Sequence, residues 1–331
     1  MNILLILNLK RIIIQIGGIL LSEKDIAEKN FMALQDVFAD VYNGLLFNGE
    51  EVIKPDDLED VRVFSQYKAD DSKLHEQERD VLKLWKGHGI NLAFMGIENQ
   101  TNPNKDMPFR VIGYDGATYR SQLLEKETKS VDGENKKVYK KERYPVITVV
   151  LYMGKDKWNY PNNLVECFNP ELPDDDITSV MKEYISDYKI NVFDIGDMSL
   201  EEIEVFKSDF KIIAEHFVRL RNNEQDYEPD KRSIQHVDEF LKLMNVLTGD
   251  TEFLEQMNVY SDEEKEGGEV AMDRIMEYRY NKGVMAGETR GEDLMSTLIN
   301  KLLESNRMQD LKKVTSDKEL RERLYKEYGI K

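Results

Sequence analysis

The sequence predicts an α/β core of about 130 residues followed by a helical C-terminal region. Three observations carry this prediction. Along the first half, apolar spacing passes from helical to strand-like, back to helical, and then to a short run apolar on both alternations. Charge is divided unequally: residues 1–159 carry 23 Lys and Arg against 25 Asp and Glu, whereas residues 160–331 carry 23 against 39. The last sixty or so residues are highly charged and helical in pattern.

The elements follow in order. Within residues 28–47, Phe31, Leu34, Phe38, Val41, Tyr42 and Leu45 give one apolar helical face, and Asn48-Gly49 ends it. Residues 50–79 are mixed and charged with little pattern. Asp80–Lys86 alternates as a strand, Gly87-His88-Gly89 signals a hairpin, and Ile90–Ile97 is a second, more apolar strand. Phe109–Glu127 reads as a helix running into a polar segment, 128–142. Tyr144–Met153 (YPVITVVLYM) is β-branched and apolar at both alternations, which predicts a central strand covered on both faces. Beyond Gly154 the texture becomes loop-rich and acidic. Leu200–Leu220 and Val237–Leu247 are amphipathic helices, and Ser261–Glu269 reads as an acidic linker. The implied boundaries are an apolar extension (1–24), a core domain (25–220), a helical connector with its linker (221–270) and a charged helical tail (271–331).

Composition narrows the chemistry. The single cysteine, Cys167, excludes an internal disulfide framework and a cysteine zinc cluster. The four histidines, at 75, 88, 216 and 236, form no HxxxH pair. A metal here is expected to sit on carboxylates, with Mg²⁺ the natural ion. The net charge of −18 opposes DNA binding taken whole, but it resides in the second half; the first half is near neutral. Lys136–Arg143 (KKVYKKER) is locally basic, and Lys136, Lys137, Lys140 and Lys141 are either a solvated loop or helix end or phosphate contacts beside the active site. Residues 1–21 are apolar but interrupted by Lys10 and Arg11, leaving runs too short to cross a bilayer. The reading is an over-extended start, with translation beginning near Leu20–Ser22, and a membrane anchor is the alternative. The expected location is the cytoplasm, with no stable membrane association.

A metal-dependent phosphodiesterase needs carboxylates converging on one point. Neighbouring hairpin strands supply them. Asp80 opens the first strand, Glu98 closes the second, and Gln100 shares the face of Glu98 because strand side chains repeat every two residues. Spacing alone leaves ordinary strand-end polar residues as the alternative. Arg110 and Tyr114, at i and i+4, share a helix face and are either phosphate contacts or a stacked surface pair. Asp40, on the first helix, is a further candidate acid, in competition with Asp36. Trp85 and Trp158 are expected in the core or at its rim.

Three segments in series resemble the recombination-promoting nuclease / putative transposase family (Rpn), a branch of the PD-(D/E)xK superfamily. They are ERDVLKLW (78–85), GIENQTNPNKDMPFRVIGY (96–114) and YPVITVVLYMGKDKW (144–158). The resemblance covers roughly residues 28–220. It implies a PD-(D/E)xK restriction-endonuclease-like core with a mixed sheet flanked by helices. It implies Mg²⁺-dependent DNA endonuclease activity, with Mn²⁺ as a substitute, in recombination or mobile-element biology. Asp80 and Glu98 would be the metal ligands, with Gln100 completing the catalytic set. Gln100 stands where the superfamily usually has lysine; it can orient water but cannot supply a positive charge. A catalytically weak nuclease fold that binds DNA or protein is the alternative, and a scaffold acting through the C-terminal helices is a third. The Gly283, Gly287 and Gly291 repeat suggests close helix packing and a homodimer through the tail.

Overall fold

The computed structural model describes residues 23–331 except 62–63, 69–73, 88, 132–133, 169–179, 182, 225–229, 261–269, 316 and 331. The apolar start and the acidic linker therefore lie outside the described residues. Among the described residues, no helix is long and apolar enough to cross a membrane. The chain divides into two units, Met1–Glu269 and Val270–Lys331.

The first unit opens with helices α1 (23–33) and α2 (Gln35–Phe47), where one continuous helix was expected. The break is at Leu34, whose ψ of 132° leaves the helical region. Helix α2 ends as predicted: Asn48 and Gly49 both have positive φ. Strands follow in chain order: β1 (Leu58–Asp60), β2 (Phe64–Lys68), β3 (Leu74–Glu78), β4 (Val81–Gly87) and β5 (Ile90–Gln100). Helix α3 (Met107–Leu124) precedes β6 (Lys126–Val131), β7 (Glu134–Tyr139), β8 (Val146–Tyr152) and β9 (Asn191–Asp194). The main sheet has the order β1-β4-β5-β8-β9. Its β1, β4 and β5 are antiparallel neighbours, while β5, β8 and β9 run parallel, so the sheet is mixed.

The expected hairpin forms, with Gly87 paired to Ile90. Gly89 takes φ +79°, which a residue without a Cβ adopts freely. The expected buried strand is β8, placed between β5 and β9 with Val149, Val150 and Leu151 fully buried. Helices cover both of its faces. On one, Tyr42 of α2 donates to the carbonyls of Gly96 (2.7 Å) and Ile147 (2.9 Å). On the other, Met107 and Val111 of α3 pack on Val150 and Ile190. Gln122 locks the end of α3 to the entry of β8: its Nε2 donates to the Tyr144 carbonyl (3.0 Å), and its Oε1 accepts from the Tyr144 N–H (2.8 Å).

Three expectations need correction. The unpatterned stretch 50–79 contains β1 and the antiparallel pair β2–β3. The polar segment 128–142 is neither loop nor helix end: Lys136 and Lys137 lie in β7, paired antiparallel with β6, and Lys140 and Lys141 follow it. The helix expected over 200–220 is split into Leu200–Ile203 and Phe210–Arg221. At the interruption, Asp40 of α2 accepts from the N–H groups of Lys207 (2.9 Å) and Ser208 (2.8 Å). These bonds satisfy backbone donors outside the helix and hold the turn open.

The second unit is helical: Met272–Glu304, Met308–Lys313 and Lys318–Glu327. Leu298, Leu302, Val314, Leu320 and Leu324 form its core. The side-chain environment of the glycine repeat is described only at Gly291, because positions 283 and 287 lie outside the residues whose surroundings are described. Among the described residues, a Cβ added at Gly291 would meet no atom within 4 Å.

Candidate carboxylate site at the hairpin end

The site forms where β4 begins and β5 ends. Val81 pairs with Ile97, so the antiparallel register sets Asp80 opposite Glu98, and alternation sends both to one face. The local bonds agree. Asp80 Oδ2 accepts from the Asn99 N–H at 2.8 Å, and Glu98 Oε1 lies 3.4 Å from the Asp80 N–H. Glu98 is completely buried, and its Oε2 is a buried atom with no hydrogen-bond partner. Gln100, two residues on, is half-buried, and its Nε2 donates to the Asn99 carbonyl (2.8 Å).

Two cations border the pair. Lys29 Nζ is 3.7 Å from Asp80 Oδ1, and Arg110 is 3.7 Å from Glu98 Oε2. Arg110 also donates to the Tyr114 hydroxyl (3.1 Å), so the expected i, i+4 pair does share a face beside the site. These ion pairs are long and do not neutralise the carboxylates. Burial, reinforced by the neighbouring Asp80, pushes Glu98 up to about 8. Burial likewise raises Asp80. A third acid, Glu28 of α1, is pushed to about 7, mainly by burial, with Asp80 adding repulsion; its Oε1 is also buried without a partner.

Beneath the pair lies Arg79, 2% exposed. It is ion-paired with Asp115 of α3, sits 3.8 Å from Glu98 Oε1 through Nε, and stacks over Tyr114. Asp115 also accepts from the hydroxyls of Thr148 (2.6 Å) and Tyr188. Any side chain at Gly96 would collide with the Arg79 guanidinium, so the glycine on β5 makes room for the buried arginine.

The structure thus brings together Asp80, Glu98, Gln100, Arg110 and Tyr114. Lys136, Lys137, Lys140 and Lys141 belong to the separate β6–β7 ribbon and its exit. Asp40 is a correction: its carboxylate is occupied by the 207–208 turn, and the helix acid at the site is Glu28. Glu28 had a legible signal. It lies three and four residues before Phe31 and Met32, both fully buried, so it interrupts an apolar stripe with an acid. Arg79 had no comparable signal. Trp85 packs on Phe47, and Trp158 contacts Tyr152 and Tyr160, as core-rim residues do.

Among the described residues, no three His, Cys, Asp or Glu side chains form a group able to hold a metal ion. The two strand-end carboxylates are nonetheless hard oxygen donors, one of them with an orphaned buried oxygen, and they fit a Mg²⁺ ion that keeps several waters.

The fold and site define a mixed α/β protein with paired, poorly neutralised carboxylates at the end of its central hairpin. Residues 29–244 match the family described as putative transposase, YhgA-like, and the chain belongs to that family. No significant match was found among the curated proteins or among the solved structures.

Proposed function

We propose that the chain is a Mg²⁺-dependent DNA endonuclease with a PD-(D/E)xK-type core, acting in the mobile-element context that its family description suggests. The observation that carries this reading is the Asp80–Glu98 pair: two acids on one face of adjacent strands, raised by burial and left without full counter-charge. Strongly perturbed acids of this kind concentrate at functional sites.

Each residue has a role in this reading. Asp80 and Glu98 offer the oxygens that hold the ion. Bound there, Mg²⁺ supplies Lewis-acid polarisation of a phosphate and a more acidic water. Arg110, steadied by Tyr114, and Lys29 offer positive charge to the substrate phosphate. Gln100 orients a water through its amide. Arg79, fixed by Asp115, keeps Glu98 in place from below. One observation favours a slower variant of the same reading, a nuclease fold that mainly binds DNA: the Gln100 amide is already engaged with the Asn99 carbonyl.

The test is nicking of supercoiled plasmid by the full chain, with Mg²⁺ or with EDTA. Asp80→Ala and Glu98→Gln are expected to lose about 100-fold or more of the rate. Calorimetric titration with Mn²⁺ should show binding to the native chain and none to Asp80→Ala. Nicking that survives EDTA, or that Asp80→Ala leaves unchanged, would end the proposal.

A further inference from the structure

The β6–β7 ribbon has two unlike faces. Register pairs Lys126 with Tyr139, Thr128 with Lys137 and Ser130 with Asn135. Strand alternation puts these six side chains on one face, and every one of them is exposed. That face holds two lysines, four uncharged hydrogen-bonding side chains and no acid. The other face carries Glu127, Lys129, Lys136 and Val138. There Glu127 and Val138 are half-buried, and Lys129 is ion-paired with Glu127 at 2.6 Å.

The ribbon lies in the near-neutral first half of the chain, and this face presents two lysines to solvent with no acid beside them. We propose that this acid-free face grips duplex DNA. The inference rests on the nucleic-acid reading above and gives it a contact surface. A two-stranded β-ribbon is narrow enough to enter the major groove. Lysine, Ser, Thr, Asn and Tyr are side chains that meet phosphate oxygens. Lys126 lies over the Tyr139 ring at 4.6 Å, which holds the exposed aromatic and its cation in one posture. The ribbon is closed at its base, where the Lys140 N–H donates to the Glu125 carbonyl (3.0 Å) and Lys140 Nζ pairs with Glu125 (2.7 Å). Lys140 therefore anchors the ribbon, and Lys137 and Lys126 face the phosphates.

Single-charge substitutions on the two faces test this in the full chain. Anisotropy of a labelled 25-base-pair duplex would be followed as salt is raised. Lys137→Ser should weaken binding several-fold and reduce the slope of log K against log salt by about 0.9, as one lost phosphate contact requires. Adding Lys126→Ser should roughly double that change. Lys129→Ser removes the same charge from the other face and should change affinity less than about two-fold. Equal losses from Lys137→Ser and Lys129→Ser would overturn the inference, as would no loss from either or no salt-sensitive binding by the native chain. Plasmid nicking is scored separately. A chain that binds through Lys126 and Lys137 but never nicks upholds the ribbon and removes the nuclease reading. A chain that nicks while Lys137→Ser binds normally does the reverse.

Discussion

The two ends of the β4–β5 hairpin treat charge in opposite ways. From the middle of β4 to the turn, β1 lies beside it and supplies an acid for each lysine. Lys86 is ion-paired with Glu59, and the buried Lys83 reaches Asp60 at 2.5 Å. At the other end, Asp80 and Glu98 face each other with cations no nearer than 3.7 Å, and Glu28 adds a third buried acid. Matched pairs suit an edge that only has to be soluble and register-fixed. Unmatched buried acids weaken the fold, and strongly perturbed acids of this kind concentrate at functional sites. Arg79 shows the cost being contained: a fully sequestered guanidinium, held by Asp115, braces the acidic end from inside.

Removing that brace should have the largest effect on stability. Arg79→Met strands Asp115 in the core, and urea unfolding is expected to report a loss of about 3–5 kcal/mol. Lys83→Met, at the matched end, leaves behind an exposed Asp60 and should change stability by less than about 1 kcal/mol. Similar losses for the two would erase the distinction between the ends.

The next effect is a pH dependence confined to the acidic end. Glu98 stands at about 8 and Glu28 at about 7 in the folded chain, against an ordinary 4.5. Below about pH 4.5 both acids are protonated in the folded and the unfolded chain alike, and no penalty applies. As pH rises, the unfolded chain ionises first, so stability falls up to about pH 8. In EDTA, the fall between pH 5 and 8.5 should be on the order of 6 kcal/mol, with Glu98 contributing more than Glu28. Glu98→Gln should remove much of this slope and leave the protein more stable than the native chain at pH 8. A native profile flat over this range would mean that the acids are neutralised after all.

The smallest effect belongs to the exposed pair at the turn end. Lys86→Ala should change the unfolding free energy by no more than about 0.5 kcal/mol, with the difference vanishing in high salt. A larger loss there would show that β1 depends on the ion pair more than on its backbone ladder.

The sequence by itself determined the hairpin, its turn, the buried strand and the carboxylate pair. Each depends on a period-two pattern or on glycine freedom within a few residues, and such signals are local. Asp80 and Glu98 were legible as acids at the ends of neighbouring strands, but a one-residue bulge beside Lys86 sets them opposite one another, since the turn's own register, with Gly87 opposite Ile90, would place Asp80 against Ile97. Tertiary structure alone decided the rest. Strand β9 is four residues long and pairs with a strand some forty residues earlier, so nothing in its own neighbourhood announces it. Asp40 and Glu28 look alike as helix acids. Packing sends the first to cap the 207–208 turn and turns the second inward to the site. Arg79 adjoins Asp80 in the chain, yet it is buried because Gly96 leaves space and because Asp115, Thr148 and Tyr188 converge there from distant elements. Which charges are matched and which are left waiting is a property of long-range contacts, and no local pattern encodes it.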